Sequence, residues 1–173
     1  MGNNLSWGFI LKKQITLVGM YLVAIVIANL IVARFGTLAV LPVGFLLIGL
    51  DLTSRDYLHE LWHKHLWLKM ALLIGCGSLL SWLLNRNAGQ IALASFVAFL
   101  SAGVVDTISY HFLGKRIFLV RVNGSNVFSS FADSAIFLTI AFGAFTPALV
   151  FAQFGVKVAG GFLWSLLLRK FRK

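Results

Sequence analysis

Six long runs of apolar residues, separated by short polar or basic connections, constrain this chain more than any other feature. The runs cover residues 14–33, 38–52, 66–84, 90–113, 125–145 and 148–168. A helix of about twenty apolar residues matches the thickness of a bilayer. With 60% hydrophobic and 12% charged residues, the 173-residue chain has more apolar surface than a water-soluble domain could bury. The sequence therefore predicts an all-α membrane protein, a six-transmembrane-helix bundle that forms one domain over residues 1–173.

Three smaller observations bear on this prediction. The first apolar run is too long for the core of a cleaved signal peptide, so we expect it to remain as a span. The second run, 38–52, is shorter than the hydrocarbon thickness, and we expect neighbouring helices to shield it. Cys76 is the single cysteine, which excludes a disulfide within the chain.

The connection between the second and third runs predicts a short interfacial helix that begins at Thr53. It contains His59-Glu60-x-x-His63, which matches the H-E-x-x-H signature of zinc proteases. A third ligand is not evident, because His65 lies only two residues on and would face away. A membrane zinc protease is therefore an alternative, and the main expectation is a protein without catalytic residues, metal or cofactor.

Basic residues are distributed unevenly among the connections. Twelve of the fifteen Lys and Arg residues lie near the two termini or after the second and fourth runs. Only Arg34 and Arg86 belong to the opposite side. Because cytoplasmic loops carry the excess of Lys and Arg, this predicts a multi-pass protein of the bacterial inner membrane with both termini in the cytoplasm. The net charge of +10 is then a topology signal and does not indicate nucleic acid.

Three charged residues fall inside the later runs. Asp106 and Asp133 lie seven and eight residues from the cytoplasmic ends of their predicted spans, which places both roughly 10 to 12 Å deep. Lys157 lies roughly 16 Å deep by the same rule. Ionisable residues within spans are expensive and mark functional sites by default. Two interpretations stay open: an ion pair that locks helices together, or a binding site whose surplus negative charge a proton, a cation or a donor-rich substrate compensates.

Polar neighbours favour the binding site. Asn29 lies in the first run, Ser95 in the fourth and Ser130 in the fifth. A carboxylate can accept two adjacent N–H donors that a flat, nitrogen-rich ring presents side by side. Phenylalanines could stack on such a ring, and the candidates are Phe96, Phe99, Phe131 and Phe137.

Several short motifs, in order, resemble the vitamin-uptake-transporter-like queuosine precursor transporters. They are Ala28-Asn29-Leu30-Ile31-Val32-Ala33-Arg34, Leu41-Pro42-Val43-Gly44, Asp51-Leu52-Thr53, the stretch from Ala94-Ser95-Phe96 to Asp106, Asp133-Ser134, and Lys157. The resemblance implies six spans and uptake of a 7-deazaguanine precursor of queuosine, in its 7-cyano or 7-aminomethyl form.

The same resemblance implies a pocket within the bundle. Asp106 and Asp133 would bind the base, and Asn29, Lys157, Ser95 and Ser130 would complete the pocket. Asp51 with Arg55 would form a cytoplasmic gate or brace, although residues one helical turn apart can equally form a simple local ion pair.

A second alternative within transport is a substrate-binding subunit of an energy-coupling-factor importer. Ala24 and Ala28 form a small-residue face of the kind that packs against another helix. Such a subunit would need an ATPase module as its partner. The expected partners are therefore a small nucleobase-like substrate and membrane lipid, with a homodimer or an ATPase coupling module left open.

Overall fold

The computed structural model describes residues 3–51, 54, 58, 62, 65–113 and 118–168, and these residues form helices joined by short turns. The elements are α1 (Asn3–Phe35), α2 (Thr37–Val43), a π-helical segment (Gly44–Ile48) that continues α2, α3 (Leu66–Leu84), a 3-10 turn (Arg86–Ala88), α4 (Gly89–Phe112), α5 (Phe118–Phe142) and α6 (Pro147–Leu168). No strand occurs among them. The predicted all-helical architecture is confirmed.

Four stretches are long and apolar enough, by length and composition, to cross a membrane, and two are shorter. The long ones are Gln14–Phe35, Trp67–Leu84, Arg86–Asp106 and Pro147–Trp164, and the shorter ones are Thr37–Asp51 and Val127–Phe142. Each of the six helices leaves large apolar side chains exposed, among them Ile15, Leu38, Leu72, Val104, Phe128 and Phe162. An apolar exterior on every helix of a bundle is the surface that a lipid environment requires.

The turns follow from local chemistry. Gly36, between α1 and α2, has a φ of 61°, a left-handed conformation that glycine adopts without steric cost. The turn between α3 and α4 is held by Asn85, whose side-chain oxygen accepts from the backbone N–H of Asn87 at 3.0 Å. Short turns of this kind make consecutive helices antiparallel neighbours.

The second helix is irregular at a point that matters for the site. Pro42 lies inside α2 and has no N–H to donate to the preceding turn, and the hydrogen-bond pattern becomes π-helical from Gly44. The π segment packs closely on α6: a Cβ added to Gly160 would lie 2.1 Å from the Phe45 carbonyl oxygen. The indole N–H of Trp164 donates to the Leu46 carbonyl at 2.7 Å. The π segment and α6 are therefore held together at backbone contact distance.

Two apolar clusters form the core. One joins α1, α2, α4, α5 and α6 around Val40, Leu138 and Val150. The other joins α1, α3 and α4 around Tyr21, Ile74 and Phe99. Leu58, in the predicted interfacial helix, is buried in the second cluster, and Trp62 packs against it. Ser54 is also described and is buried, whereas Thr53 and most of the predicted helix lie outside the described residues.

Candidate functional site

A cavity opens between the helices, inside the apolar bundle. About 620 Å³ not filled by protein atoms lies between the lining residues, and this figure includes space that is open to the surroundings. Residues of α1, of α2 with its π segment, and of α3, α4, α5 and α6 line it. Its polar lining consists of Tyr21, Asn29, Asp51, Ser95, Asp133, Gln153 and Lys157, and its aromatic lining of Phe99 and Phe137. A mostly apolar cavity with a few convergent polar groups is the usual form of a small-molecule site.

An ion pair between α5 and α6 forms part of the cavity lining. The Lys157 ammonium donates to Asp133 Oδ2 at 2.5 Å. The Lys157 side chain is 4% exposed and that of Asp133 is 22% exposed. The ammonium also lies 5.7 Å from the centre of the Phe137 ring. Because the two opposite charges are in contact, the pair brings polarity into the cavity without adding net charge.

A second polar group of the cavity is fixed by hydrogen bonds among three helices. Ser95 Oγ donates to Asn29 Oδ1 at 2.7 Å, and Asn29 Nδ2 donates to Ser81 Oγ at 3.2 Å. Ser81 Oγ in turn donates to the Gly77 carbonyl at 2.8 Å. Asn29 is 3% exposed, so these bonds satisfy a buried amide and orient it at the cavity wall. The network ties α1 to α3 and α4.

Two of the four predicted stacking phenylalanines, Phe99 and Phe137, line the cavity, and both are buried. Phe131 instead contacts other rings, with centroids 5.4 Å from Phe151 and 6.1 Å from Phe154. Phe96 packs against the second apolar cluster. A flat ring in the cavity would therefore have aromatic surface available from α4 and α5.

The predicted grouping of Asp106 with Asp133 is not observed: Asp106 and Ser130 do not belong to the cavity lining. Asp106 Oδ1 is buried and has no hydrogen-bond partner among the described residues. α5 begins at Phe118, seven residues before the predicted start of the fifth span. Counted from the observed helix ends, Asp133 lies roughly 22 Å along α5 and Asp106 roughly 9 Å along α4. Asp106 therefore lies nearer to the end of its helix than Asp133 does.

Asp51 is the second acidic residue of the cavity lining, and it is 8% exposed. Its predicted partner Arg55 lies outside the described residues, so the proposed gate is not visible. His59, Glu60 and His63 of the protease-like motif also lie outside them. Among the part of the chain that the structure describes, no cluster of three metal-ligating side chains occurs.

Gln153 belongs to the cavity lining but was missed by sequence reasoning. It is 3% exposed, and its Oε1 has no hydrogen-bond partner within the described part of the chain. It lies on α6 one helical turn before Lys157. The signal was present in the sequence, because Gln153 is the single carboxamide of the run 148–168.

An all-helical bundle with an apolar exterior, and with a cavity on which a few polar groups converge, is the architecture of a membrane protein that binds a small molecule. The chain belongs to the family described as "Putative vitamin uptake transporter", whose signature matches residues 6–169. This confirms the vitamin-uptake-transporter-like family that the sequence motifs indicate. No match was found among curated proteins or among solved structures.

Proposed function

We propose that this protein imports a 7-deazaguanine precursor of queuosine across the bacterial inner membrane. Family membership supports uptake of a small vitamin-like compound. The motif resemblance described above suggests the 7-deazaguanine class. The observation that carries the proposal is the cavity, in which the Asp133–Lys157 pair, the fixed Asn29 amide and aromatic rings surround one space. The proposed function is transport, and it includes no covalent change in the substrate.

The binding mode follows from the donors and acceptors of the cavity. Asp133 accepts from the amino group and the adjacent ring N–H of the base, since a carboxylate keeps several acceptor sites while it is paired with Lys157. Asn29 and Ser95 contact the remaining polar edge. Phe99 and Phe137 cover the faces of the ring system.

Asp106 and Ser130 are proposed to act outside the cavity. Because they lie outside the cavity lining, we assign them to the path between the cavity and the cytoplasm. The unpartnered Oδ1 of Asp106 is an acceptor that a passing donor-rich base could use. Asp51, with Arg55, is proposed to gate the cavity.

The proposed topology has six spans and both termini in the cytoplasm. The two shorter apolar stretches, Thr37–Asp51 and Val127–Phe142, complete the four long ones. Their length is acceptable because neighbouring helices surround them, and α6 packs against the π segment and α5. The turn Arg86–Ala88 would then face the outside.

The energy-coupling-factor alternative receives no support from the helix face on which it rested. Ala24 and Ala28 are each 2% exposed, so they pack inside the bundle and do not offer a surface for an ATPase module. We therefore propose uptake by this chain without such a module. Co-purification with an ATPase would contradict that part of the proposal.

The test is rescue of a strain that cannot synthesise the precursor, with queuosine in tRNA as the readout. Expression of the wild-type chain should restore queuosine at low external precursor, whereas Asp133→Ala should not, at equal membrane levels of the protein. Thr139→Val is the matched control, because Thr139 is an exposed polar residue of α5 that bonds its own helix at Ala135. Failure of the wild type to restore queuosine would refute the proposed substrate.

A further inference from the structure

We infer that Gln153 is a specificity-determining residue that accepts a hydrogen bond from the pyrrole N–H of the base, so that the site selects a free base over its nucleoside. The inference rests on the proposed function. It begins from the Gln153 Oε1 atom, which is buried at the cavity wall without a partner among the described residues. Leaving a buried acceptor unpaired costs free energy, and such groups are therefore candidates for binding a ligand.

Gln153 has two neighbours in the cavity wall, Lys157 on its own helix and Gly44 of the π segment. Gln153 and Lys157 are four residues apart on α6, so their side chains leave the same face of the helix, about 5 to 6 Å apart at Cβ. Gly44 of the π segment faces both stems: a Cβ built there would lie 3.8 Å from Gln153 Cγ and 3.9 Å from Lys157 Cγ. These are ordinary van der Waals distances, so the π segment lies alongside both stems.

Three polar groups of this wall are adjacent in pairs. Asp133 is an acceptor in contact with Lys157, a donor with three N–H groups, and Gln153 is an acceptor one helical turn from Lys157. A ligand that carries a donor, an acceptor and a donor along one edge is complementary to these three groups. One edge of a 7-deazaguanine base does so, with its amino group, its unprotonated ring nitrogen and its pyrrole N–H.

Each group of that edge then has a partner among the three side chains. Asp133 accepts from the amino group, Lys157 donates to the ring nitrogen, and Gln153 accepts from the pyrrole N–H. In a nucleoside the pyrrole nitrogen carries the sugar and has no proton. The nucleoside would therefore leave Gln153 Oε1 unpaired and would also place a sugar against the wall.

The experiment measures binding to the purified full-length protein by titration calorimetry. The probes are 7-cyano-7-deazaguanine and its furo analogue, in which oxygen replaces the pyrrole N–H without a change in shape. Wild-type protein should bind the furo analogue about 3- to 10-fold more weakly, the loss expected for one neutral hydrogen bond. This comparison requires no variant, so it stands even if a substitution at Gln153 impairs folding.

Gln153→Met should weaken binding of the deazaguanine by a similar factor and should bind the two probes equally, because the partner of the pyrrole N–H is gone. Gln90→Met is the matched control. Gln90 is exposed and donates to the Ile140 carbonyl at 3.0 Å, away from the cavity, so binding of both probes should remain as in the wild type.

The outcomes separate the two proposals. If the wild type binds neither probe, the proposed function fails and this inference fails with it. If the wild type binds both probes equally, or if Gln153→Met still prefers the deazaguanine as strongly as the wild type does, Gln153 does not read the pyrrole N–H and this inference alone is overturned.

Discussion

Replacing Lys157 with methionine removes the ammonium from the Asp133–Lys157 pair while it keeps most of the volume of the side chain. At an N–O distance of 2.5 Å, Coulomb attraction is about 7 kcal/mol with an effective dielectric constant of about 20. Desolvation of the two groups offsets much of this attraction. Removing one partner of a buried pair nevertheless costs about 3–5 kcal/mol, because the other charge is left uncompensated.

The exposure of Asp133 places the expected cost at the lower end of that range. Its side chain is 22% exposed, so water can partly solvate the carboxylate once Lys157 is gone. We expect Lys157→Met to lower the free energy of unfolding by about 3 kcal/mol. By the scale known for soluble domains of similar size, this corresponds to a fall in Tm of about 6 to 12 °C. Lys69→Met is the control, since Lys69 is exposed and its contact with the Trp62 ring should contribute about 1 kcal/mol or less.

The double variant Lys157→Met with Asp133→Asn separates a structural brace from a binding site. It removes both charges, so most of the lost stability should return. Uptake should stay absent, because the acceptor for the base is gone as well. The assays are thermal unfolding of the purified protein and uptake of the precursor by cells that contain equal amounts of each variant. Recovery of both stability and uptake would show that the pair only braces α5 against α6, and it would refute the binding role.

Three further predictions test the network, the helix packing and the topology. Asn29→Ala should lower stability by about 1–3 kcal/mol, because the partly buried Ser95 hydroxyl loses its acceptor and the buried Ser81 hydroxyl loses a donor. The exposed Asn87→Ala should change it by about 0.5 kcal/mol or less, and thermal unfolding measures both. Gly160→Ala should destabilise the protein by about 1–3 kcal/mol through its clash with the π segment, whereas Gly155→Ala, with no atom within 4 Å, should be neutral or slightly stabilising in the same assay. In a Cys76→Ser background, Asn87→Cys should react with a membrane-impermeant maleimide in intact cells; labelling only after permeabilisation would invert the proposed topology.

Hydropathy predicts the helices of this protein well, because six apolar runs can satisfy a bilayer only as helices. It predicts their ends poorly. Residues 118–124 contain Arg121 and Asn123 and are typical of a loop, yet α5 begins at Phe118. Hydropathy reports which residues suit lipid, and a helix can extend past the hydrocarbon without any such signal. The prediction that Asp106 and Asp133 share one depth was counted from the predicted end of the fifth span, and α5 extends seven residues beyond that end.

The cavity was only partly predictable for a related reason. Asn29, Ser95, Asp133 and Lys157 are polar residues within apolar runs, and each is recognisable because burial of such groups is costly. They line one cavity together. Gln153 is equally polar. Its place in the cavity wall is recognised only from the structure, in which the π segment packs against the face of α6 that carries Gln153 and Lys157. The π segment itself has no reliable sequence signal beyond Pro42.

The central claim is that the cavity containing Asp133 carries a 7-deazaguanine base across the membrane. Uptake of labelled 7-cyano-7-deazaguanine into proteoliposomes that contain only this protein measures it most directly. The account predicts saturable uptake by the wild type that excess unlabelled base suppresses, and none above empty liposomes for Asp133→Ala. Equal uptake by the wild type and Asp133→Ala would contradict it.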